Sequence, residues 1–237
     1  MNNFRGVEFN DHGENLMSEK PKMSKRYSLA KLPSEWRETI FMSISSERLK
    51  LAVAVLCATG CRPSELERGV LVAVKCKQMQ IGIKGSKVDE VMKRGQPLRL
   101  LTVDSTTRWG RYLSECVSNN HGKPLLVQYD AGAISQRLRE KSREIWPRRK
   151  SLVSAYSYRH FIGKSMKESG EDKNKIAAVL GHATDYSQSV YGRAGGSKKA
   201  AGQHGIERAI ASNPIRHSLK ADKLNTLASR SSAPVDA

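Results

Sequence analysis

The chain has 237 residues, 38% of them hydrophobic, and carries 41 Lys and Arg against 23 Asp and Glu, a net charge of +18. That supports one sizeable core with a small appendage, and a basic excess spread along the chain points to a polyanionic partner, nucleic acid first. Four cysteines (Cys57, Cys61, Cys76, Cys116) form no CxxC pair, no apolar stretch approaches a bilayer-spanning length, and the N-terminus lacks the apolar core of a signal peptide. A zinc site, a disulfide framework and a membrane span are therefore not expected, and a cytoplasmic protein fits.

In chain order, residues 1–30 are polar and aperiodic and are expected to form a flexible arm. A helix is expected over 32–44. A stronger one follows over 45–60, where a serine cap precedes an apolar run and Gly60 ends it. "PSELERG" starts a short helix with Pro63 in its first turn. The pattern then changes. "VLVAVKC" (70–76), "QMQIGIKG" (78–85) and "PLRLLTV" (97–103) read as three strands of a small antiparallel sheet. Helices are expected over 105–119, 131–145, 154–169, 172–180, 184–192 and 203–212. Residues 213–237 read as a partly ordered tail. The expected fold class is mainly α with a three-stranded antiparallel sheet (α+β), as one domain over residues 31–212.

Four stretches hold residues with chemical potential. In "ATGCRPSEL" (58–66), Arg62 follows a turn and precedes a helix, with Glu65 one helical turn on. It is either a surface cation or a grip for an anion. Glu65 can orient Arg62 or a neighbouring lysine, or pair with Arg68 on the surface. In "IGIKGSK" (81–87), Lys84 and Lys87 sit on a hairpin. In "AYSYRHF" (155–161), Tyr156, Arg159 and His160 share one helical face. An amphipathic helix with Arg159 solvated would look the same. In "LGHATDYSQSVY" (180–191), His182 follows a helix end and Tyr191 comes nine residues later. Taken singly, these two read as a capping histidine and a core aromatic.

In this order and spacing, the four stretches resemble the tyrosine recombinases, the phage integrases and their relatives, over about residues 45–195. The resemblance implies that family's catalytic-domain fold and a site-specific recombinase that cuts and rejoins DNA through a 3′-phosphotyrosyl link, without metal, ATP or cofactor. It implies Arg62 and Arg159 on the phosphate oxygens, Lys84 (Lys87 second) protonating the departing 5′ oxygen, His182 bonding the phosphate or assisting proton transfer, and Tyr191 as nucleophile. The chemistry suits these types. Guanidinium groups fork onto phosphate oxygens, an ammonium carries a transferable proton, and cations favour a phenolate whose free pKa is near 10.

The sequence departs from the family pattern in three places. The second box begins with Tyr156 where the family has histidine. A tyrosine donates one hydrogen bond but does not shuttle protons near neutral pH. His160 stands beside Arg159 as a substitute, and Tyr186 is a rival nucleophile that the family spacing disfavours. About 40 residues precede the first catalytic helix, too few for the family's separate core-binding domain. The resemblance also implies double-stranded DNA as partner and a homotetramer on it, with an accessory DNA-bending protein or a second recombinase as further partners. Residues 202–215 are expected to form a helix that docks on a neighbouring protomer or packs in cis. Two other readings stay open. One is a non-catalytic or weakly active DNA-binding regulator that keeps the fold. The other is a relaxing enzyme like the type IB topoisomerases.

Overall fold

The computed structural model of the chain describes Leu29 and residues 31–76, 78–89, 91–186 and 202–219. The arm expected before residue 31, apart from Leu29, and the tail beyond Leu219 lie outside the described residues.

Helix α1 (Trp36–Met42) leads into α2 (Glu47–Thr59). The Ser46 hydroxyl accepts from the Leu49 N–H at 3.4 Å and starts α2. Nine of its thirteen residues are buried, Leu49 and the unbroken run from Ala52 to Thr59. A helix apolar on nearly every side belongs inside, and α2 is the central rod of the fold. It ends at Gly60, whose φ of +61° sets a left-handed cap closed by a bond to the Leu56 carbonyl. Helix α3 (Pro63–Glu67) follows at once, with Pro63 at its first position.

The sheet is larger than the sequence indicates: five antiparallel strands, not three. Strands β1 (Val70–Lys75), β2 (Gln78–Lys84) and β3 (Leu98–Val103) are those expected. β4 (Leu125–Val127) and β5 (Ile206–Ala211) add one strand to each edge, in the order β4-β1-β2-β3-β5. The helix expected over 203–212 is thus a strand. The spacing of Ile206, Ala209 and Ile210 suits a helix, but the open edge of β3 offers hydrogen-bond partners from Arg99 to Val103. Tertiary pairing overrides the local pattern. This segment therefore packs in cis on the chain's own sheet.

Between β3 and β5 lie α4 (Arg108–Asn119), α5 (Ala131–Ile145), α6 (Ala155–Glu168) and α7 (Lys173–Leu180). α4 buries Trp109, Leu113 and Val117, one face at four-residue intervals. In α6, Tyr158 packs on Trp36 with ring centroids 4.8 Å apart. The inner face of the sheet (Val70, Val72, Met79, Ile81, Ile83, Leu101, Val103, Val127, Ile206) closes the core against the helices. The outer face leaves Leu71, Leu98, Leu100, Leu126 and Ile210 exposed. No helix among the described residues is long and apolar enough to cross a membrane.

Candidate active site

Two helix ends and one strand build the site. The first end is the α2–α3 junction. Arg62 is the N-cap residue of α3, extended at φ −72°, ψ 149°. Glu65, three residues on, reaches back to accept from the Arg62 N–H at 2.7 Å and from its guanidinium at 2.7 Å. Glu65 is fully buried. The surface pairing with Arg68 does not form; Arg68 donates instead to the Gly85 carbonyl at 2.6 Å.

The second end is the C-terminus of α7. Gly181 takes φ +63°; its N–H bonds the Ala178 carbonyl and the His182 N–H bonds the Ala177 carbonyl at 2.8 Å. This double closure fixes His182 directly after the helix. Gln96, 1% exposed, holds the same turn by donating to the His182 carbonyl at 3.1 Å.

Arg159, on α6, bridges the two ends. It is 1% exposed, so the solvated reading of this residue fails. Its guanidinium donates to the Gly60 carbonyl at 3.2 Å and to the Leu180 carbonyl, and stands 3.1 Å from His182 Nε2. Carbonyls at helix C-termini carry partial negative charge, which suits a buried cation. A guanidinium only donates, so Nε2 accepts and the His182 proton resides on Nδ1. A β-carbon on Gly60 would lie 3.0 Å from Ile162 Cβ and 3.2 Å from Arg159 Cα. Glycine there lets α6 approach closely enough for the bridge.

Sequence reasoning missed the third arginine. Arg99 lies on β3, fully buried. It grips both Glu65 oxygens, at 3.1 and 2.6 Å, and donates to the Val179 carbonyl at 3.0 Å. Glu65 thus accepts four hydrogen bonds. Burial pushes its carboxyl up, but Arg99, Arg62 and Arg159 outweigh that and hold it at about 2. At His182 the balance runs the other way. Burial, then the charges of Arg159, Arg62 and Arg99, push its imidazole down to about 2, with Glu65 opposing. The imidazole is therefore neutral and sits in a positive potential.

The structure gathers Arg62, Glu65, Arg159 and His182, with Arg99 behind them. Lys84 is not in this cluster. It ends β2 exposed and pairs with Leu98, on the sheet face opposite Arg99. The turn that follows it is tied to α3, with Ser86 Oγ 2.7 Å from Ser64 Oγ. Lys87 is exposed; Tyr156, His160 and Tyr186 are half-buried. Tyr191 lies outside the described residues, as does most of the helix expected over 184–192. Among the described residues no group of three or more His, Cys, Asp or Glu could hold a metal ion.

No protein-family model and no curated protein matches the chain. Among solved structures, XerA recombinase superposes with a TM-score of 0.53 at 20% identity, over 70% of this chain and 61% of that one. XerH recombinase bound to its difH substrate, in the pre-cleavage complex, gives 0.48 at 17% identity, over 68% and 49%. The chain thus spans less than two thirds of the XerA chain it matches. It has the fold of a tyrosine recombinase catalytic domain.

Proposed function

We propose, from that fold and this site, that the protein is a site-specific DNA recombinase that cleaves and rejoins strands through a phosphotyrosyl intermediate. The observation that carries the reading is the positive potential around His182. Arg62 and Arg99 share a single carboxylate, so this group keeps one positive charge beyond what Glu65 neutralises. Arg62 is the member that reaches solvent, with its side chain 11% exposed. A site of this kind is built to receive an anion, and a phosphodiester fits the forked donors.

In the reaction, a scissile phosphate rests first on Arg62, the group that reaches solvent, and DNA binding has to uncover Arg159 and the buried His182 before they donate to it. The Tyr191 phenol oxygen forms a bond to phosphorus and gives up its proton to solvent water. The bond from phosphorus to the 5′ oxygen breaks, and that oxygen takes a proton from Lys84. Rejoining runs the same steps in reverse with another strand, so the bond energy is conserved and no nucleotide is consumed. Tyr156 contributes one hydrogen bond to a phosphate oxygen and leaves proton transfer to Lys84. With Lys84 exposed on the hairpin, DNA binding has to bring that hairpin over the site. Double-stranded DNA is the partner and a homotetramer the working assembly, with accessory proteins chosen by the target site.

The test is a nicked suicide duplex drawn from DNA flanking the encoding gene. Mixed with the protein and denatured, it should yield a covalent adduct that Tyr191→Phe abolishes and Tyr186→Phe retains. Specific binding with no adduct on any such duplex would establish the regulator instead. Loss of the adduct in Tyr186→Phe only would move the nucleophile.

A further inference from the structure

The family resemblance assigns Arg62, Arg159 and His182, but nothing in it uses Arg99. Yet this side chain touches both halves of the site. Its two terminal nitrogens meet both oxygens of Glu65, and its Nε meets the Val179 carbonyl in the last turn of α7. A β-carbon on Gly181 would lie 2.7 Å from Arg99 Nη1 and 3.6 Å from Arg62 Nη1. The guanidinium therefore lies against the turn that presents His182. All three of its nitrogens are engaged by Glu65 and the Val179 carbonyl, so it does not hold an incoming phosphate itself.

We infer that Arg99 is a positioning residue of the anion site: from the sheet it fixes Arg62, through Glu65, and the α7 terminus bearing His182 in one frame. The physical case has three parts. First, Glu65 has four acceptor positions and all are used, two by Arg62 and two by Arg99. The planar fork of Arg99 thus sets the carboxylate plane, which in turn sets the Arg62 guanidinium. Second, a buried Arg–Glu pair is a poor source of stability compared with apolar side chains of the same size. Placed directly behind an anion site, it is better explained by the geometry it imposes. Third, the sheet is the stiffest support available. β3 is hydrogen-bonded on both sides and Arg99 itself lies opposite Ile83 and Ala211. A site on such an element holds its donors more tightly than one on loops.

The inference rests on the recombinase reading for the identity of the anion, not for the geometry. Its test compares the full chain with Arg99→Met and Arg99→Lys on suicide duplexes. Misplacing reacting groups by about an ångström costs about 100-fold in rate, and that loss in adduct formation is expected of Arg99→Met. Arg99→Lys, with one point charge and no fork, should fall between it and the wild type. A second readout separates positioning from loss of fold. In Arg99→Met the Glu65 carboxyl loses its main counter-charge, so burial raises it and the cleavage rate acquires an acid limb that the wild type lacks. An Arg99→Met protein that cleaves within about threefold of wild type, with no acid limb, overturns the inference. If Arg99→Met does not fold, folded Arg99→Lys decides: slowed cleavage supports the inference, and wild-type cleavage overturns it. If the wild type forms no adduct, the recombinase reading fails, and inorganic phosphate titrated against the His182 imidazole resonances then tests the frame. Wild-type binding weakened about tenfold or more in Arg99→Met supports it. Equal binding, or none in the wild type, overturns it.

Discussion

Glu65→Gln removes the one carboxylate that the described residues place among the three arginines, without changing the size of the side chain. At neutral pH the Glu65 carboxyl sits at about 2 against its ordinary 4.5, because Arg99 and Arg62 outweigh burial. That difference is worth roughly 3 kcal/mol of folding stability. Breaking a buried ion pair from one side costs about 3–5 kcal/mol, so the two routes agree. For a domain of this size the loss should lower Tm by roughly 6–20 °C. The sign with pH follows from the depressed carboxyl. The contribution is complete above 4.5 and fades as pH falls towards about 2. Thermal unfolding followed by circular dichroism between pH 3 and pH 8 is the assay. Wild type should lose stability below pH 4.5, and Glu65→Gln should be weaker at pH 7 yet lack this part of the acid loss. Added phosphate should restore part of the variant's Tm, since an anion in the site replaces the missing charge. A Glu65→Gln protein within about 2 °C of wild type at pH 7 would refute the reasoning, because three clustered guanidinium groups would then need no carboxylate.

Gly60→Ala should lower stability by about 1–2 kcal/mol, from its left-handed φ of +61° and the 3.0 Å contact with Ile162, as read from chemical denaturation. Gly181→Ala should cost as much and also weaken phosphate binding, because its β-carbon displaces Arg99 Nη1. His182 should remain neutral at pH 5.5 in nitrogen-15 spectra, with the proton on Nδ1. Its lowered value means that stability falls as pH drops below the ordinary 6.5, where the unfolded chain takes up a proton the folded one refuses. Arg159→Lys should abolish adduct formation, since one ammonium does not serve the Gly60 and Leu180 carbonyls and a phosphate together; wild-type cleavage by this variant would break the assignment.

Local chemistry made much of this protein legible in its sequence. Ser46 and Gly60 bound α2, and the helix expected over 131–145 is α5, Ala131–Ile145, because caps and apolar spacing act within a few residues. The four motifs named the fold through their order and spacing along the chain, since each one singly reads as ordinary structure. Three features waited for the tertiary structure. β5 has helical spacing and becomes a strand only because β3 leaves an edge to pair with. The sequence leaves Glu65 open between orienting Arg62 and a surface pair with Arg68, and only Arg99, arriving from 34 residues away, shows why it is buried. In "PLRLLTV" both faces of the strand carry apolar residues, so alternation gives no reason to bury Arg99 and expose Leu98 and Leu100. The choice depends on a carboxylate lying beneath β3, and contacts between distant segments leave no periodic trace in a sequence.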